Sequence, residues 1–147
     1  MKVYLDNCCY NRLLDDRRYS KIYYERNSVM LILKMAENSE IELLGSEMLM
    51  KEMEDTSDTY KRSVLQMVYS LCSEETRVDN RILNRAEAIR NTSNIKYKDS
   101  IHLACAEEAG ADVLLTTDDK FRKNASRIQT YTRVMNPNQW LLEVLYQ

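Results

Sequence analysis

Several acidic side chains stand where the chain changes character. Asp6 closes the apolar run KVYLD at Lys2–Asp6, Asp118 and Asp119 follow the run DVLLTT at Asp112–Thr117, and Asp79 closes a weaker β-type run at Thr76–Asp79. Asp99 opens the small-residue stretch DSIHLACAEEAG, and Glu52 lies on the amphipathic stretch after EIELLG, with Glu47 nearer its start. If separate strands deliver Asp6 and Asp118 to one sheet edge, four or five carboxylates meet there, and their repulsion is heavy unless a cation sits among them. Hard oxygen donors without a His or Cys cluster select Mg2+ or Mn2+ rather than zinc. Each acid alone has a plainer reading, because Asp, Asn, Ser and Thr cap helices and end strands for local hydrogen-bonding reasons. The combination carries the metal-site reading.

No Ser/His/Asp or Cys/His constellation competes with it. Cys8 and Cys9 are adjacent, Cys72 and Cys105 are isolated, and no Cys-x-x-Cys or zinc-like spacing occurs. Buried thiols in a reducing cytosol account for them. His102, the single histidine, stands three residues after Asp99, near enough to donate to a site carboxylate, but reads foremost as a packing residue on a helix. The chain carries 21 basic and 23 acidic residues, a net charge of −2, opposite in sign to a passive nucleic-acid binder. Discounting four of the 23 acids as metal-bound leaves 19 against 21 bases, a balance compatible with RNA. Arg12, Arg17, Arg18, Lys21, Lys96, Lys98, Lys120, Arg122 and Lys123 flank the acidic motifs and could meet phosphates, each otherwise a solvated surface charge.

The elements that must position these residues are legible in outline. At 147 residues, 44% apolar and 30% charged, the chain fits a single domain spanning 1–147 with one core. Two Gly and one Pro weigh against loop-rich and β-sandwich folds. No apolar run is long enough to cross a membrane and no leader pattern opens the chain, so a cytoplasmic location is expected. Strands are expected at Lys2–Asp6, Glu40–Gly45, Thr76–Asp79, Asp112–Thr117 and Thr130–Met135. Helices are expected over Ser20–Asn38, from Ser46 to about Glu54, after a cap at Thr56 or Ser57, over Asn80–Asn91 and Lys98–Gly110, near Asp119–Ala125, and from Pro137 onward. This alternation predicts a three-layer α/β/α sandwich around a parallel sheet of four to five strands, with ligands bound at the carboxyl ends of the strands.

These residues, in this order, resemble the PIN domain, a metal-dependent ribonuclease fold related to flap endonucleases and used by many bacterial toxins. The first family acid matches Asp6 in VYLDNCCYNRL, the second Glu52 in SEMLMKE, and the third Asp99 in KDSIHLACAEEAGADVLLTTDDKF, where Thr116, Asp118 and Phe121 complete the pattern. The resemblance implies one or two Mg2+ or Mn2+ ions on Asp6, Asp99 and Asp118, with Glu52 direct or through water. Glu47 competes with Glu52. Asn7 and Asn11 compete as the supporting amide, Thr116 orients an acid or a phosphate, and Asp119 is secondary. The implied activity is hydrolysis of RNA phosphodiesters, as the toxin of a toxin–antitoxin pair, with a catalytically idle RNA- or protein-binding scaffold as the alternative. A phosphatase of the Asp-x-Asp type fits poorly, since Asp6-Asn7-Cys8 stands at that place. Tyr19, Tyr23, Tyr24, Tyr60 and Tyr69 are read as packing helices or an oligomer face. The helices around Tyr19–Met35 and Thr59–Leu71 carry more aromatic and Met surface than one core needs, which predicts a homodimer.

Overall fold

A computed structural model describes residues 1–147. Five strands, β1 (Lys2–Leu5), β2 (Glu42–Ser46), β3 (Glu74–Thr76), β4 (Val113–Leu115) and β5 (Arg133–Met135), form one sheet in the order β3-β2-β1-β4-β5. Every pairing is parallel. Eight helices connect and cover it: α1 (Asn7–Asn11), α2 (Ser20–Glu37), α3 (Glu47–Glu54), α4 (Thr59–Tyr69), α5 (Asn80–Asn91), α6 (Tyr97–Glu108), α7 (Asp119–Ser126) and α8 (Pro137–Leu145). The result is the expected three-layer α/β/α sandwich. Val3, Tyr4 and Leu5 of β1 and Val113, Leu114 and Leu115 of β4 are all buried, the continuous apolar run of strands covered on both faces.

The structure corrects several expected boundaries. The third strand runs Glu74–Thr76, not Thr76–Asp79. Asp79 instead caps α5, its Oδ1 accepting from the Arg81 and Ile82 amides. Asp58, not Thr56 or Ser57, caps α4 through the Lys61 amide. The turn α1 was not expected, and Asp6 starts it by accepting from the Asn7 amide. Gly110 closes α6 as expected, at φ +72°, where an L side chain is strained. Tyr69 packs inside, but Tyr19, Tyr23, Tyr24 and Tyr60 are exposed and do not pack helices within the chain.

Glu25 on α2 is 1% exposed, which the periodicity did not anticipate. It accepts from Arg12 Nε at 2.9 Å and from Asn136 Nδ2 at 2.7 Å, joining the start of the chain, α2 and the cap of α8. Gly45 on β2 meets the Tyr69 ring so closely that an added Cβ would overlap its hydroxyl. That hydroxyl donates to the Ser46 carbonyl and to Glu75 at 2.5 Å. Gly45→Ala is therefore expected to displace Tyr69 and destabilise the fold by about 1–3 kcal/mol. Urea unfolding should show this as a lower midpoint with unchanged slope.

Candidate active site

Strand register builds the first half of the site. Leu5 pairs with Leu115, so Asp6 and Thr116 emerge side by side at the carboxyl edge, where the Asp6 amide donates to the Leu115 carbonyl. Thr116 Oγ1 donates to Asp6 Oδ2 at 2.9 Å and accepts from the Asp118 amide at 3.1 Å. Asp118 Oδ1 caps α7 through the Lys120 and Phe121 amides. Both aspartates are thus helix caps, yet Oδ2 of Asp118 makes no hydrogen bond within the chain. Capping and a place at the acidic edge coexist in the same side chains.

The second half comes from α3 and α6. Ser46 Oγ caps α3 through the Leu49 amide, and Glu52 follows on that helix. Asp99 lies in the first turn of α6, with His102 one turn further. His102 Nε2 hydrogen-bonds Glu52 Oε1 and lies 3.6 Å from Asp6 Oδ1, so the imidazole joins two of the acids. Its Nδ1 lies 2.7 Å from Tyr4 Oη, itself 2.7 Å from Ser46 Oγ. Asn7 Nδ2 lies 3.5 Å from Glu52 Oε2. Asp99 shares a small hollow of about 10 Å3, room for about one water-sized sphere, with Asp118.

Electrostatics reflects this gathering of charge. Burial, then the carboxylates of Asp6 and Asp118, push the Asp99 pKa from 3.8 up to about 7. Burial opposes protonation of His102, but Asp6, Glu52 and Asp99 together hold its pKa above the ordinary value.

Other candidates are spent elsewhere. Glu47 accepts from the Val78 amide at 2.9 Å and stands near Arg77, leaving Glu52 as the α3 acid joined to His102. Asn11 donates back to the Asn7 carbonyl and reaches no acid. Asp119 is half-exposed and pairs with Lys21 and Arg122. No three acidic, imidazole or thiol groups converge tightly enough to ligate one ion. The donor set nonetheless suits a hard divalent cation: carboxylate oxygens in excess, and a buried Asn7 Oδ1 with no hydrogen-bond partner.

The sequence model of the PIN domain matches residues 3–126. The chain belongs to the PIN domain family. A comparison with curated proteins finds no match. Among solved structures, it is similar to VapBC-1 from nontypeable Haemophilus influenzae (TM-score 0.60, 14% identity, 93% of this chain and 98% of that one). It is also similar to a toxin–antitoxin complex from Klebsiella pneumoniae (TM-score 0.57, 18% identity, 89% and 98%). A third is VapBC2 from Rickettsia felis bound to a DNA fragment from their promoter (TM-score 0.56, 13% identity, 92% and 98%). At these identities the likeness establishes the fold.

In this PIN domain two groups at the acids differ from the sequence reading: His102, ranked there foremost as packing, and Cys8, given no place at the site. His102 is no mere packing residue: it is the hinge between Tyr4, Glu52 and Asp6. Its spacing of three from Asp99, one helical turn, was the available signal. Cys8 Sγ lies 3.4 Å from Asp6 Oδ2 and 3.3 Å from Thr116 Oγ1, because the cap at Asp6 turns the chain back over the site. Nothing in the adjacent cysteines marked that return.

Proposed function

We propose that this PIN domain, folding as one unit over residues 1–147, is a metal-dependent endoribonuclease that hydrolyses RNA phosphodiester bonds. The observation that carries the reading is the gathering at one sheet edge of Asp6 and Asp118, with Glu52 joined to Asp6 through His102 and Asp99 sharing a hollow with Asp118; burial and the neighbouring carboxylates raise the Asp99 pKa accordingly. Asp6, Asp99, Asp118 and Glu52 are the catalytic and metal-holding acids, with Mg2+ or Mn2+ as the cation. A cation held by these carboxylates would supply the Lewis acidity to polarise a phosphodiester oxygen, activate water and stabilise the leaving oxygen. Thr116 and Cys8 fix the Asp6 carboxylate, His102 and Asn7 fix Glu52, and the cap of α7 fixes Asp118. Asp119 stays secondary.

Family membership supports nuclease chemistry, and the toxin–antitoxin neighbours favour a toxin restrained by a protein antitoxin. No helix is long and apolar enough to cross a membrane, and the proposed location is the cytoplasm. The test is incubation of the full chain with single-stranded RNA. Cleavage is expected with Mg2+ or Mn2+, none with a chelator, and none from Asp6→Asn purified in parallel. Equal cleavage by Asp6→Asn would sink the catalytic reading and leave a catalytically idle RNA- or protein-binding scaffold.

The chain is also expected to self-associate. Tyr24 and Leu31 of α2 and Leu142 and Leu145 of α8 line an exposed apolar hollow, and Tyr60 and Met67 of α4 stand in solvent. Sedimentation at high micromolar concentration should report a homodimer, and a monomer there would refute it.

A further inference from the structure

The nine cations that flank the acidic motifs are not equivalent in the folded chain. Arg12 is bound to Asp15 and Glu25, Arg18 to Asp16, Lys21 to Glu25 and Asp119, and Arg122 to Asp119. These four are neutralised by their own chain. The other five, Arg17, Lys96, Lys98, Lys120 and Lys123, make no ion pair, and Arg127, which the motifs do not include, makes none either. All six are exposed.

Four of them, Lys96, Lys120, Lys123 and Arg127, lie along one path, whereas Lys98 faces a separate hollow with Glu47 and Glu54 and Arg17 stands in the turn before α2. Lys96 and Lys120 share the small hollow with Asp99 and Asp118. Lys120, Asn94 and Asn124 continue from it into an open hollow of about 540 Å3 with Lys123 and Arg127, in which no apolar side chain takes part. Asn94, Asn124 and Arg127 lead on into a third, of about 360 Å3. Lys120 and Lys123 on α7 and Arg127 at its C-cap fall on one face, a stripe about 10 Å long. Asn124, 8% exposed, holds the wall together: its Nδ2 donates to the Asn94 carbonyl and its Oδ1 accepts from Arg127. The one acid in this hollow, Asp119, is already paired with Lys21 and Arg122.

We infer that Lys96, Lys120, Lys123 and Arg127 form a track for the phosphates of one strand of RNA, leading away from Asp99 and Asp118 along α7. This rests on the ribonuclease reading for the nature of the polymer, and adds which face of the domain the strand occupies. Free cations on a polar, concave path match a chain of phosphates and would repel an acid-poor or basic partner. The track is sequence-tolerant, because cations on phosphates position a strand without reading its bases.

The track is tested by binding, so that its failure is separable from failure of catalysis. The full chain carrying Asp6→Asn is titrated into a fluorescein-labelled single-stranded RNA oligonucleotide across a range of salt. Adding Lys120→Gln, Lys123→Gln and Arg127→Gln to that background should weaken binding and flatten the slope of log K against log salt by about 2, three contacts at about 0.7 each. Lys34→Gln with Lys61→Gln, on α2 and α4, should leave the slope unchanged, and thermal melts confirm that each variant folds. An unchanged slope in the α7 variant, or no RNA binding by the Asp6→Asn chain, overturns the track. A flattened slope in a chain whose parent never cleaves RNA would uphold the track and sink only the nuclease reading.

Discussion

Replacing Asp99 with Asn should lower RNA cleavage by orders of magnitude and, in the absence of metal, make the protein more stable. The two effects have one cause. The folded-state pKa of Asp99, about 7, lies above its ordinary value of 3.8, so between those values the native chain binds more protons than the unfolded one. This group's contribution to stability is therefore greatest at acid pH, falls as pH rises through that window, and stays at its lowest above about 7. Asn has no charge to bury, so the variant should melt several degrees above the parent near pH 8 with a chelator present. The gap should close as pH falls toward 4. Adding Mn2+ should raise the parent more than the variant, because the carboxylate lost is one that would bind the ion. Identical melting of both proteins at pH 8 in chelator would refute the account, whatever happened to activity.

The second large effect is expected at His102. Ser46 Oγ accepts from the Leu49 amide and so can give its own proton to Tyr4 Oη, which gives its proton to His102 Nδ1, leaving the Nε2 proton for Glu52. This direction is assigned from the network. His102→Leu fills similar space but leaves the buried Tyr4 hydroxyl with Ser46 Oγ alone and the partly exposed Glu52 carboxylate with Asn7 alone. The cost should be about 3 kcal/mol in urea unfolding. Glu52 would also lose the group that orients it, which should weaken Mn2+ binding by about 10–100-fold. Tyr4→Phe removes one hydroxyl with both its hydrogen bonds and should cost about 1–2 kcal/mol. If His102→Leu unfolds and binds Mn2+ like the parent, the residue is packing alone.

The layer order and the acids' place at the carboxyl edge were readable in the sequence because they depend on local signals. Asp6 and Asp118 follow apolar runs, and a parallel sheet sends the carboxyl ends of such runs to one side. Two kinds of information were not local. One is where a polar group spends its hydrogen bonds: Glu47 and Glu52 look alike on α3, but only the fold turns Glu47 toward the Val78 amide and Glu52 toward His102. Asp79 and Asp118 both cap helices, and only the neighbouring β1 distinguishes the second. The other is pairing between distant residues. Nothing near Glu25 announces Arg12 and Asn136, and nothing near Lys120 announces that it stays unpaired while Arg122 does not. The expected third strand was misplaced because the Thr76–Asp79 segment ends in a capping Asp, which reads equally as a strand end.

The central position of β1 governs when this molecule can work. Its neighbours are residues 42–44 on one side and 113–115 on the other, so the first strand made is among the last to be fully paired. Closing so long a loop is slow, and the apolar Val3–Leu5 segment stays half-covered on the ribosome until β4 has emerged. Thr116, which holds Asp6, arrives with that same strand, and Asp118 comes two residues later. A nascent chain therefore carries all its N-terminal acids without an assembled site. The four acids of the proposed nuclease site therefore come together only after residue 118 has left the ribosome.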